Sequence, residues 1–435
     1  MNNLDKIINL LNESYSPFHV VRNIENELKE NGFSLLKENQ NFRLEKGKKY
    51  YVKRNDTSII AFEIPESFSF ASSSFLLTAT HNDSPTFKIK PNPIIRTGNL
   101  MLLNTEPYGG GIYSTWFDKP LSIAGRVLVE KNNKIESRLL AIDEDLLEIP
   151  NVCIHMNRNV NSENKVNPST DTRPLFGIDQ NDFSFDKYLL EQLDLEDYEV
   201  LSHDLFLYNR ERARLIGKEK EFLASGRLDD LSATYSSLLG FLSSKKGKAI
   251  KVYASFDNEE VGSLTRQGAN STFLKETLRR IILALGGKND DFEKTIASSF
   301  MLSIDNAHAD HPNHMEYTDK TTKVEMNKGI VIKYNANQSY TSDALSSAIV
   351  KSIMKKNNIP YQEYTNRSDL RGGSTLGNIS NSEVSLITVD IGLAQLAMHS
   401  SYEIMGKNDI GYLIDFTKDY FASNVQIDYD TVNCK

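Results

Sequence analysis

From about residue 227 to residue 423, apolar strand-like runs alternate with helical segments, and this alternation confines the fold more than any other feature of the sequence. A helix at 230–243 leads to a strand at 249–256, a helix at 272–285 and a strand at 298–304. A strand at 329–334, a helix at 340–356, a strand at 384–390 and a helix at 409–423 follow. Strands separated by helices pair in parallel, because the connecting helix crosses back over the sheet and packs on its face. The same texture precedes residue 92. Leu4, Ile7, Ile8 and Leu11 share one helical face, Ser16-Pro17 opens a second helix running to 32, and strands are read at 49–53, 58–64 and 74–80. Residues 92–219 break the rhythm with short β-like runs such as Leu121–Glu130. The expected fold is therefore α/β. A mixed, mostly parallel sheet flanked by helices forms a discontinuous domain of residues 1–91 and 220–435, and residues 92–219 form an inserted β-rich domain.

Composition narrows the partners. Hydrophobic residues make up 39% and charged residues 25% of the chain, enough apolar material for a sizeable core. The formal net charge is −8 and no dense Lys/Arg stripe occurs, which argues against nucleic acid as a partner. Cys153 and Cys434 form no CxxC pair, so neither a disulfide framework nor a thiolate zinc site is expected, and the chain suits a reducing compartment. No run approaches the roughly 18 apolar residues of a membrane span, and the first residues lack a signal-peptide pattern. The expectation is a cytoplasmic protein without a membrane partner.

In open α/β sheets, functional side chains gather beyond the carboxyl ends of the strands. His81-Asn-Asp83-Ser-Pro85 follows the 74–80 strand. An imidazole is a good zinc ligand and a nearby carboxylate can orient it, although a lone His-x-Asp is more often structural. Asp229 and Asp230 open a helix, where acidic residues also suit the helix dipole. Asp257-Asn-Glu259-Glu260-Val-Gly262 follows the 249–256 strand, and carboxylates this close repel unless a cation or solvent absorbs their charge. Asp305-Asn-Ala-His308 follows the strand at 298–304, and His399-Ser-Ser-Tyr-Glu403 lies beyond the strand at 384–390. Each segment alone has a structural explanation. Together they supply histidines and carboxylates without sulfur, the donor set of a catalytic zinc site. One carboxylate spanning two ions would make a two-metal site that activates water and polarises a carbonyl. His308, His311 and His314 recur at steps of three in a loop, not at the i, i+4 spacing of a helical zinc motif, and are not assigned as ligands. Gly109-Gly110-Gly111 lacks the lysine of a phosphate-binding loop and reads as a tight turn.

His81-x-Asp83-Ser-Pro85, Arg227-Leu-Asp229, Glu259-Glu260-Val-Gly-Ser263, Asp305-x-Ala-His308, Asn335-Ala-Asn-Gln338, Gly373-Ser-Thr-x-Gly377 and Met398-His399-Ser400 occur in this order. In these motifs the chain resembles the aspartyl aminopeptidase family, which includes the vacuolar aminopeptidase I type, over essentially its whole length. The resemblance implies two zinc ions per subunit, replaceable by cobalt or manganese. It puts His81 and Asp305 on one ion, Glu260 and His399 on the other, and Asp229 on both. Glu259 would be the general base and Asp83 would hold the His81 imidazole. The substrates would be peptides with a free α-amine bound at the metal centre. A cis peptide is implied between Asp229 and Asp230. Tyr108–Asp118 and Ile149–His155 are similar to the family's dimerisation segments. There His155 would reach a neighbouring active site and help hold the substrate carbonyl, within a tetrahedral homododecamer built from dimers. Lys333 falls where some members recognise an acidic side chain, which implies a weak preference for acidic N-terminal residues, with neutral ones accepted. Asp230, Ser114 and Arg371-Gly372-Gly373 depart from the family pattern and bear on substrate choice. Two other readings compete. One is a different dinuclear amidohydrolase, such as a carboxypeptidase or deacylase. The other is a catalytically dead scaffold, which would require a lost ligand or base, and all six positions are filled.

Overall fold

Helices α1 (Asn3–Glu13) and α2 (Pro17–Glu30) open the fold. Asn2 caps α1 by accepting from the Asp5 amide, and Pro17 starts α2 where its missing N–H is not needed. The computed structural model describes residues 2–180, 182–370, 372–428 and 431–434; Arg371 lies outside them. Strands β1 (Ser34–Leu36), β2 (Lys49–Arg54), β3 (Ser58–Glu63) and β4 (Phe75–His81) follow. The chain then leaves this layer for β5 (Thr86–Thr97), β6 (Leu100–Tyr108), β7 (Leu121–Lys131), β8 (Lys134–Ala141), β9 (Leu175–Ile178), α3 (Phe185–Gln192) and β10 (Glu199–Asn209). It returns through β11 (Arg214–Ile216), β12 (Phe222–Ser225), α4 (Leu228–Ser243), β13 (Ile250–Phe256), α5 (Phe273–Ala284), α6 (Asn289–Ala297), β14 (Phe300–Ile304), β15 (Ala307–His308) and β16 (Ile330–Tyr334). Last come α7 (Ala344–Lys356), β17 (Tyr361–Thr365), α8 (Leu376–Asn381), β18 (Ile387–Gly392), β19 (Ala394–Leu396), β20 (Glu403–Gly406), α9 (Lys407–Ala422) and the hairpin Val425–Asp428 with Thr431–Cys434.

The central sheet has the order β1-β2-β3-β13-β4-β14-β18-β16-β17. Its middle strands β13, β4, β14 and β18 run parallel, while β3 and β16 are antiparallel to their neighbours β13 and β18. Both faces are apolar. Tyr51, Leu76, Tyr253 and Phe300 point into the core under α4, α7 and α9, whereas Val52, Leu77, Val252 and Met301 point into the core under α5 and α6. Strands buried on both faces need this double coverage. The second sheet, β8-β7-β10-β5-β6-β9, is antiparallel and packs its own core of Phe87, Trp116, Ile123, Phe185 and Leu205. A third, small sheet, β11-β12-β20-β19-β15, joins the return segment to the chain's last third.

The expected mixed, mostly parallel sheet is present, and several element limits differ. The antiparallel sheet starts at Thr86 and ends at Asn209, against the expected insert of 92–219. Pro91 reads as a break, yet β5 continues through it, with the pairing to β6 slipping between Ile89 and Ile94. The helix expected from residue 340 starts at Ala344, because Asp343 caps it by accepting from the Ser346 amide. The strand expected at 384–390 lies at 387–392, where its register with β14 pairs Ile387 with Phe300. Among the described residues no helix is long and apolar enough to cross a membrane.

Candidate metal centre

Three neighbouring parallel strands converge at one sheet edge. His81 ends β4 beside Phe256, the end of β13, and Asp257–Glu260 continue directly from β13. Asp305 continues directly from β14 on the other side of β4. Asp229 comes from the first turn of α4, where Asp229 (φ −81°, ψ 110°) and Asp230 (φ −114°, ψ 23°) are not yet helical. The bond between them is cis, the isomer the resemblance implies. His399 sits in the loop from β19 to β20 with φ +66°, in the left-handed region uncommon for non-glycine residues.

The Asp229 carboxylate lies between two imidazoles. Its Oδ1 is 3.4 Å from His81 Nε2, and its Oδ2 is 3.4 Å from His399 Nε2, which is also 3.4 Å from Glu260 Oε2. One ligand atom each from His81, Asp229 and Asp305 falls within 4.8 Å of the others, and the same holds for Asp229, Glu260 and His399. A spacing of 3.4 Å is long for a hydrogen bond. It matches the edge of a tetrahedron whose corners lie about 2.0–2.1 Å from a zinc ion, an edge of about 3.3–3.4 Å. Asp229 Oδ1 and Glu260 Oε1 are buried without a hydrogen-bond donor. These oxygens and imidazole nitrogens, with no sulfur among them, fit a zinc ion.

The outer partners fix which imidazole nitrogen faces the cluster. His81 Nδ1 is 3.1 Å from the Asp83 carbonyl, and His399 Nδ1 is 3.0 Å from the Gly110 carbonyl. A carbonyl only accepts, so each Nδ1 carries hydrogen, and in the neutral ring each Nε2 presents its lone pair toward Asp229. Asp83 does more than orient His81 through its carbonyl. Its Oδ1 accepts from the Glu259 amide (3.1 Å), and its Oδ2 accepts from the Glu260 amide (3.2 Å) and the Tyr108 hydroxyl (2.7 Å). Tyr108 and Gly110 both belong to the end of β6 and the turn after it, so the antiparallel sheet supports both histidine sides. Between them Gly109 has φ +74°, and a Cβ there would stand 3.1 Å from Glu260 Cβ.

Electrostatics follow from the crowding. Burial works against charge on His81, yet Asp229 and Asp83 hold its pKa well above the usual histidine value. Burial likewise opposes charge on His399, and Asp229 and Glu260 raise it to about 10. Burial, with the Asp229 charge behind it, pushes the Glu260 carboxyl far up. Burial, reinforced by Asp305 and Asp83 against the pull of His81, brings Glu259 to about 7.

Lys333 and His155 stand outside this cluster. Lys333 is buried, and its Nζ donates to the Asp305 carbonyl (2.7 Å) and the Asn306 carbonyl (3.2 Å), 3.6 Å from Asp305 Oδ1. Its ammonium is thus committed behind Asp305. His155 is exposed in a turn of the inserted segment, flanked by exposed Val152, Ile154 and Met156. Glu403, to which sequence reasoning assigns no role, accepts from the amides of both Asp229 and His399. Its place four residues after His399 was the sole hint. An open pocket of ≈960 Å³, lined by His308, His311, Tyr364, Arg367 and Met398, adjoins the His399 loop.

The model of the aminopeptidase I zinc metalloprotease (M18) family matches residues 10–421. The chain belongs to the M18 family of zinc aminopeptidases. It is a metallo-exopeptidase, a hydrolase that depends on metal. A probable M18 family aminopeptidase 2 of Clostridium acetobutylicum is 46% identical over 417 residues, spanning 94% of this chain and 96% of the relative. Among solved structures, a complex of Ape4 and Nbr1 contains a chain matched at TM-score 0.93 and 33% identity, covering 97% of this chain and 85% of that one. The S. cerevisiae mApe1 dodecamer is matched at TM-score 0.84 and 25% identity, covering 96% of each chain. The fold is that of M18 aminopeptidases, and the His/Asp/Glu cluster can hold the family's metal.

Proposed function

We propose that this M18 enzyme holds two zinc ions, one on His81 and Asp305, the other on Glu260 and His399, with Asp229 on both. The observation that carries the reading is the Asp229 carboxylate, whose two oxygens face opposite imidazoles at 3.4 Å each. Zinc held there would lower the pKa of a bound water and polarise a carbonyl, and cobalt or manganese would substitute. Glu259, brought to about 7, takes the proton of the attacking water and returns it to the leaving amine. Asp83 aligns this step by holding the Glu259 amide and the His81 ring from one side. The free α-amine of a peptide binds at the cluster, so single N-terminal residues are released.

His155, exposed and away from its own cluster, serves a neighbouring subunit by holding the substrate carbonyl, in a tetrahedral homododecamer of cytoplasmic chains built from dimers. The dodecameric relative supports this assembly. Lys333 acts from behind Asp305, and its positive charge favours acidic N-terminal residues weakly, with neutral ones accepted.

The test pairs two measurements. Peptides with a free N-terminus are cleaved and N-terminally blocked ones are not; equal cleavage of both would favour a carboxypeptidase or deacylase. Glu259→Gln keeps two zinc ions per chain and loses about 10³-fold or more in kcat. Retention of most activity would remove Glu259 from the role of base.

A further inference from the structure

We propose that Glu403 is a positioning residue that locks the bridging carboxylate to the outer histidine through their backbones, and so sets the affinity of the ion on Glu260 and His399. This rests on the two-ion reading above. Glu403 is 2% exposed and begins β20. Its Oε2 accepts from the Asp229 amide (3.1 Å), 174 positions away in sequence, and its Oε1 accepts from the His399 amide (2.7 Å). Neither amide sits in a regular element that would supply an acceptor. Asp229 precedes the helical part of α4, and His399 has a positive φ in a loop. Without Glu403, the buried Asp229 N–H and the half-buried His399 N–H beside the cluster would lose their partners, and His399 would lose a bond that holds its uncommon backbone conformation.

The carboxylate is held in place from several sides. Its strand pairs with β12, where Glu403 faces Ser225, and with β19. Gln395 Nε2 also reaches Oε1, at 3.4 Å. The Gln395 Oε1 in turn accepts from Asn306 Nδ2 (2.8 Å), the side chain next to Asp305. The Ser84 hydroxyl donates to the Asp229 carbonyl (2.8 Å) and fixes the other end of that residue. Glu403 therefore ties the small third sheet, the start of α4 and the His399 loop into one frame. It belongs to none of the clusters whose atoms converge on a metal position. Its effect is exerted through Asp229 and His399.

The experiment is a zinc titration of chelator-stripped full-length protein, with kcat, KM and the metal-free melting temperature measured alongside. In Glu403→Gln one oxygen still accepts, but the amide NH₂ opposes the second backbone N–H. The weaker of two zinc affinities is expected to fall about 10–100-fold. The kcat at limiting zinc falls with it, peptide KM at saturating zinc is unchanged, and the metal-free melting temperature falls by at most a few degrees, the cost of one unpaired N–H. Glu403→Asp keeps the carboxyl group but not the reach, so it should lose as much zinc affinity as Glu403→Ala. Zinc affinity within about twofold of wild type in Glu403→Gln would overturn the proposal. So would rescue by Glu403→Asp, or a metal-free melting temperature lowered by far more than one unpaired N–H costs, the mark of a general loss of folding. His399→Ala is the control: if it binds two zinc ions as tightly as wild type, the assignment of His399 to the second ion fails whatever Glu403 does, and wild-type protein that binds a single zinc would end the two-ion reading.

Discussion

The two halves of the metal cluster are built differently. His81 and Asp305 stand at the ends of adjacent buried strands, with 1% and 7% exposure, and sheet register brings them side by side. Glu260 lies in a single 3-10 turn and His399 in a loop, with the His399 side chain 30% exposed. No ladder fixes that outer pair. Individual hydrogen bonds do so instead: Asp83 to the Glu260 amide, the Gly110 carbonyl to the His399 ring, and Glu403 to the His399 amide. The inner half takes its precision from the fold and the outer half from a few polar contacts, two of which come from neither the strand nor the loop that carries the ligand.

The largest test of this contrast is the residue common to both halves. Asp229→Ala should remove both ions and lower kcat by about 10⁴-fold or more, checked by metal analysis and kinetics. Loss of a single ion would show that Asp229 serves only one half. Staged metal removal is the next test. As chelator is raised, the ion proposed on Glu260 and His399 should leave first, zinc falling from two to one per chain with activity lost in that first step. His399→Ala should then show only the tighter step, and the same early step persisting in that variant would reverse the ranking of the halves.

The smallest effect concerns a histidine with no carboxylate beside it. His19 is as buried as His81, but its Nδ1 meets the Ser16 hydroxyl at 2.8 Å, and burial, with Arg22 and Arg227, lowers its pKa from 6.5 to about 3. In the unfolded chain His19 binds a proton below about pH 6.5, and in the folded chain it does so only near 3. Its contribution to stability is therefore complete above 6.5 and is lost as pH falls toward 3, by up to about 1.4 kcal/mol per pH unit. His19→Phe should flatten the decline of melting temperature between pH 6.5 and 5; an unchanged slope would show that His19 is not held neutral.

Much of the site was legible because strand ends can be read from apolar runs. His81, Glu259, Glu260 and Asp305 each follow such a run directly, and the elements that end there fold as expected. The roles of the supporting groups were not legible. Tyr108 ends β6 just before a glycine-rich turn, and nothing local links its hydroxyl to Asp83. The burial of Lys333 was not legible either: a strand-end lysine reads as solvated charge, whereas this one is buried and donates to the Asp305 and Asn306 carbonyls.

By itself, the sequence determined which side chains can bind metal and which strands deliver them, because periodicity and residue chemistry are local properties. Only the tertiary structure decided how these groups face one another. It set the two oxygens of Asp229 toward opposite imidazoles, turned each Nδ1 to a backbone carbonyl and gave Glu403 the amides of two distant residues. The physical reason is that a hydrogen bond or a ligand edge is fixed to within tenths of an ångström by packing among segments far apart in the chain, and no local pattern carries that distance.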